Sequence, residues 1–263
     1  MGGNVKLAHG SKKKKTKQYS LGEQLSTDVF GPINGKYGLV IKDKYSQYCL
    51  GKVIDSRKDV SDKTIEMLKV FKNLLKLQDK SVCYLRSDNE FRTKLLTSYC
   101  AKEGITQQFT APHSSFQNGS AENVNGLLKN KMRILINESG ISKHLWPYCF
   151  NHVLFILNNT LREKQNETPE QLITNYGRKI RTELLPFGCQ LFAYNYNRKQ
   201  KLFDPSINGI FLGYDKTTAI VNVYDPKSRK VFRTSAWKGM NEIFPLKPVS
   251  YTHLRAHETL RHV

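Results

Sequence analysis

Three acidic residues stand out because their surroundings would let them converge, although they lie far apart along the chain. Asp88 closes the apolar run Val82-Cys83-Tyr84-Leu85, whose composition predicts a buried strand with a carboxylate at its carboxyl edge. Glu122 falls just inside a long amphipathic segment in which Val124, Leu127, Leu128, Met132, Leu135 and Ile136 recur at helical spacing, with Ser120 as the candidate N-cap. At about 100° per residue, Glu122, Asn125 and Lys129 share the opposite, hydrophilic side of that helix. Asp28 lies in Gln24–Phe30, a β-prone run predicted to stop at Gly31-Pro32. An acid on the first strand of a sheet is costly unless it has a use. Carboxylates brought together in this way are the donors that hard divalent cations prefer.

The flanking segments must do the positioning. Tyr37–Ile41 and Tyr48–Ile54 follow the Asp28 strand with turn residues between them, which predicts an antiparallel meander. Ile65, Leu68, Phe71, Leu74 and Leu75 then repeat at helical spacing over Val60–Leu77, with lysines on the outer side. That helix would cross over to the Asp88 strand, as a parallel neighbour requires. A second helix is expected over Phe91–Glu103 and a fifth strand over Thr106–Thr110. After a turn near Gly140, an apolar helix containing Trp146, Phe150 and Leu154 is expected to be buried, with Trp146 a core residue. Thr168-Pro169-Glu170 opens a short helix. From Phe187 the period changes to two, with strands expected over Gln190–Tyr196, Gly209–Tyr214, Ile220–Tyr224 and Val231–Thr234.

The ordered set Asp28, Asp88 and Glu122, in a meander, a helix and a strand-loop-helix, resembles the catalytic core of retroviral and retrotransposon integrases. The phrases LRSDN, QNGSAEN and Leu145-Trp146 resemble the copia-type (Ty1/copia) retrotransposon polyprotein in particular, over roughly residues 21–245. The resemblance implies an α/β fold: a ribonuclease H-like mixed five-stranded sheet with flanking helices, followed by a small SH3-like β module. The expected division is a basic flexible arm over 1–20, a catalytic core over 21–180 and a β-barrel-like module over 186–246. Residues 249–263 look like the translation of a sequencing adaptor and are set aside as an artefact.

It also implies an activity, metal-dependent DNA 3′-end processing and strand transfer. Two Mg2+ (or Mn2+) ions would be held by Asp28, Asp88 and Glu122, with Asp28 bridging. Asn118, Gly119, Asn125 and Lys129, with Lys12, Lys13, Lys14 and Lys15 of the arm, are the candidate DNA contacts. Implied partners are element ends and target DNA, further copies of the chain, and a reverse transcriptase within a Gag-Pol-type polyprotein. The implied location is nuclear and cytoplasmic. Two alternatives share the fold: a catalytically decayed or domesticated DNA-binding remnant, and a ribonuclease H-type nuclease. The chain departs from the family at Asp88-Asn89-Glu90-Phe91, which lacks two glycines of the usual run and is expected to tighten the strand end, and at Asn123, where arginine is common.

Composition agrees with a polyanionic partner. Across 263 residues, 42 Lys and Arg face 22 Asp and Glu, a formal charge of +20, and such an excess favours nucleic acid with salt-sensitive affinity. A hydrophobic content of 39% allows a packed interior. The five dispersed cysteines are expected as reduced core residues, with no spacing suited to zinc. No apolar run is long enough to span a membrane.

Overall fold

The computed structural model describes residues 18–110, 119–162, 165–175, 184–194, 206–215 and 219–247. The meander forms as its apolar alternation dictates: β1 (Gln24–Ile33), β2 (Lys36–Asp43) and β3 (Cys49–Ile54) pair antiparallel. Helix α1 (Val60–Lys76) buries Met67, Leu68, Phe71 and Leu75 against the sheet. It returns the chain to β4 (Tyr84–Ser87), parallel to β1, and α2 (Lys94–Lys102) leads to β5 (Thr106–Phe109), parallel to β4. The order β3-β2-β1-β4-β5 is the mixed five-stranded sheet with flanking helices expected from the sequence. Across its other face run α3 (Gly119–Ser139) and α4 (Trp146–Asn159), while α5 (Pro169–Thr174) is opened by a capping box between Thr168 and Gln171.

Several boundaries differ from expectation for local reasons. Gly31-Pro32 does not end β1; the peptide bond is cis, the register is interrupted after Phe30, and Ile33 pairs again with Lys36. The expected Phe91–Glu103 helix starts only at Lys94, where the Thr93 hydroxyl accepts from the Leu96 N–H, and Asn89–Phe91 forms a separate 3-10 turn. Helix α3 begins at Gly119, so Ser120 lies inside its first turn and is not the N-cap.

The two faces of the sheet bury separate clusters. Leu25, Leu39, Ile41 and Leu85 pack on α1, while Phe30, Val40 and Cys49 pack on Val124, Leu128, Trp146 and Phe150 of α3 and α4. Trp146 is 2% exposed and donates its indole N–H to the Ile33 carbonyl at 3.1 Å. Gly51 lets α4 lie directly on β3, since a Cβ there would overlap Phe150 and Leu154. The end of α4 is fixed by Asn158, whose amide bridges both backbone groups of Cys49 at 2.8 Å.

The second sheet is antiparallel throughout, in the order β10-β6-β7-β8-β9: β6 (Gln190–Tyr194), β7 (Ser206–Tyr214), β8 (Val221–Asp225), β9 (Lys230–Thr234) and β10 (Trp237–Met240). The short β10 was not expected. Leu191, Ala193, Phe211 and Val223 form this sheet's own core, but Ile210 and Leu212 join the α3–α4 cluster. His152 of α4, buried among Phe187, Phe211 and Tyr214, abuts Gly213, and burial pushes its imidazole down to about 4. Among the described residues no helix is long and apolar enough to cross a membrane.

Candidate active site

The parallel pairing of β1 with β4 sets the first two carboxylates. Ser26 stands opposite Arg86, so two residues further along both strands come Asp28 and Asp88. Asp28 is half-buried; its Oδ1 accepts from the Val29 N–H at 2.7 Å and its Oδ2 from Asn125 Nδ2 at 2.5 Å. Burial pushes the Asp28 carboxyl up to about 6, with repulsion from Asp88 adding to it. The Val29 N–H, Asn125 and the positive Lys129 pull the other way. Asp88 Oδ1 accepts from the Glu90 N–H at 3.0 Å, capping the 3-10 turn. The shortened run is therefore accommodated as a compact turn, and Glu90 is held from outside by an ion pair with Arg57.

Helix α3 supplies the remaining candidates. Glu122 lies in its first turn, three residues before Asn125; its side chain lies outside the described residues, as do those of Asn118 and Lys12, Lys13, Lys14 and Lys15, while Gly119 starts the helix. Asn125 corrects the expected helix face. It is 5% exposed and its amide is committed to Asp28, because the Val124–Asn125–Leu128 edge of α3 faces β1. Asn125 Oδ1 is buried without a partner among the described residues. Lys129, one turn further, is exposed, with Nζ 5.8 Å from the Phe30 ring centroid. Among the described residues no group of three His, Cys, Asp or Glu side chains converges as a metal site; Asp28 and Asp88 supply two. Two neighbouring carboxylates that repel one another in a half-buried setting fit a hard cation, which would offset that repulsion.

Two basic residues near this site carried no signal in the sequence. Lys42 of β2 lines the small cleft that Ser26, Asp28, Val40, Val124 and Asn125 also line, and Arg162 follows the end of α4. Their separation along the chain hides their proximity.

Comparison with known proteins agrees with this architecture. Residues 189–247 match the retroviral polymerase SH3-like domain. Over 219 residues the chain is 26% identical to a retrovirus-related Pol polyprotein from transposon TNT 1-94 of Nicotiana tabacum, covering 79% of this chain and 16% of that polyprotein. The catalytic core domain of BIV integrase is a structural neighbour with TM-score 0.44 and 18% identity, covering 59% of this chain and 95% of that one. The mixed five-stranded sheet is thus followed by a segment similar to a retroviral polymerase SH3-like domain. The chain resembles a retrotransposon integrase, and it spans about a sixth of the polyprotein it matches.

Proposed function

We propose that this chain is the integrase segment of a retrotransposon polyprotein and catalyses divalent-metal-dependent processing of DNA 3′ ends and their transfer into target DNA. The observation that carries this reading is that β1 and β4 run parallel, with Ser26 opposite Arg86, so that Asp28 of β1 and Asp88, just past the end of β4, come close enough for the charge of Asp88 to act on Asp28. Asp28, Asp88 and Glu122 would hold two Mg2+ or Mn2+ ions. When bound, such ions neutralise charge that builds on the attacking and leaving oxygens of an in-line phosphoryl displacement. The chain's own residues prepare the site: the Val29 N–H and Asn125 fix the two oxygens of Asp28, and the Glu90 N–H fixes Asp88. Lys129 adds positive charge where a DNA end would arrive, and Lys12, Lys13, Lys14 and Lys15 would contact phosphates. Asn118 and Gly119 would be further DNA contacts. Element and target DNA, further copies of the chain, a polyprotein that includes reverse transcriptase, and passage between cytoplasm and nucleus complete the proposal.

The test is a joining assay with oligonucleotides bearing element ends, in Mg2+ or Mn2+. Wild type should join and Asp88→Asn should lose at least 100-fold, whereas equal joining by both would overturn the assignment. The shortened Asp88–Phe91 run favours a second reading, a DNA-binding remnant without turnover. A wild-type chain that binds DNA yet joins none in either metal would select it.

A further inference from the structure

Lys42 is 9% exposed, unusual for a lysine, and no carboxylate among the described residues forms an ion pair with it or with Arg162. The neighbouring Asp43 is occupied elsewhere. Its oxygens accept from the Gly22 N–H at 3.1 Å and from the Ser46 N–H and hydroxyl, both at 2.7 Å, so it organises its own turn. Arg162 is held in place: Nη1 donates to Gln47 Oε1 at 3.1 Å, and Gln47 Nε2 donates to the Lys44 carbonyl at 2.6 Å. The helix end that carries Arg162 is pinned to β3 through Asn158. Lys42 stands opposite Cys49 in the β2–β3 ladder, and Asn158, four residues before Arg162, is bonded to Cys49, which brings the two cations to the same end of the sheet. Burial lowers the Lys42 ammonium, Cys49 and Asp43 oppose that, and the charges of Arg162 and Lys44 add to it. Like charges gathered in a poorly solvated place are costly without an anion to offset them.

We propose that Lys42 and Arg162 form a phosphodiester-binding subsite beside Asp28, seating a backbone phosphate of the DNA strand whose reacting bond lies at the carboxylates. The subsite rests on the function proposed above for where that strand lies. Lys42 lines the same small cleft as Asp28 and Asn125, which places it beside the first of the two carboxylates. Arg162 presents a planar fork suited to two phosphate oxygens, and Lys42 a point charge.

Fluorescence-anisotropy titration of the full chain with a labelled duplex, repeated over a range of salt, tests this. Lys42→Met and Arg162→Gln should each reduce the slope of log affinity against log salt by about one, and the double variant by about two. Affinity near 0.1 M salt should fall at least tenfold in the double variant, whereas Lys58→Gln, at an exposed position, should lower it much less. If Lys42→Met fails to fold, Arg162→Gln alone must still lower the slope by about one. A folded double variant with unchanged slope and affinity within twofold would overturn the subsite and leave Lys42 a buried structural residue. The joining assay is read separately. Wild type that binds but does not join removes the catalytic reading alone, joining wild type with an unchanged double-variant slope removes the subsite alone, and wild type that binds no DNA removes both.

Discussion

Replacing Asp28 with Asn should stabilise the metal-free protein near neutral pH. In the native chain Asp28 titrates at about 6 instead of 3.8, so its ionisation is opposed by about two pH units. At about 1.4 kcal/mol per unit this gives an upper figure of ~3 kcal/mol, and partial solvent access reduces it to ~1–2 kcal/mol. The amide can be satisfied: its oxygen keeps the Val29 N–H, and its Nδ2 can donate to Asn125 Oδ1, which lacks a partner among the described residues. The native state binds the Asp28 proton more tightly than the unfolded chain, so wild-type stability from this group is present at low pH and declines as pH rises from about 4 to about 6. His152 works in the opposite sense. Its imidazole is pushed from 6.5 down to about 4, so native stability from it rises with pH over about 4 to 6.5. The two trends oppose each other in wild type, and Asp28→Asn leaves the His152 trend alone. Thermal unfolding in EDTA should place the variant about 2–8 °C above wild type at pH 7.5, with the gap closing towards pH 4. A variant less stable than wild type at pH 7.5, or a gap that does not shrink on acidification, would refute the reasoning.

Other substitutions probe the scaffold and the site. Gly51→Ala places a methyl into Phe150 and Leu154 and should cost ~1–3 kcal/mol, measured by urea unfolding. Asn158→Ala strands both buried backbone groups of Cys49 and should cost ~2–4 kcal/mol in the same assay. His152→Leu should remove the opposing His152 trend and leave stability declining from about pH 4 to 6 through Asp28, read from melting temperatures across that range. Iodoacetamide should label Cys83 first in the folded chain, because it is half-exposed while Cys49, Cys100, Cys149 and Cys189 are buried; mass spectrometry of labelled peptides checks the order.

The strand runs ending near Asp28 and Asp88, and the α1 stripe of Leu68, Phe71 and Leu75, were legible because local composition and periodicity agree with the tertiary outcome. Trp146 was legible as core for the same reason. Gly31-Pro32 was not, since Ile33 regains its pairing with Lys36 beyond a residue pair that otherwise punctuates a strand, and that pairing is set by the neighbouring strand. A helical wheel separates the sides of α3 but does not specify which edge meets the sheet, and this hid the burial of Asn125. Strand β10 owes its place to pairing with β6 more than 40 residues earlier, and Arg162 is brought towards Lys42 only because Asn158 of α4 is bonded to Cys49, so neither leaves a local trace.

Helix α4 has one further consequence. It presses Phe150 and Leu154 onto β3 and offers His152 to β7, while the Leu246 carbonyl closes over Gly140 at the turn before it. A single rod thus serves as the inner wall of both sheets. Severing the chain between them would strip apolar surface from each half, so a fragment ending before β6 should be prone to aggregation, and the whole should melt in one cooperative step.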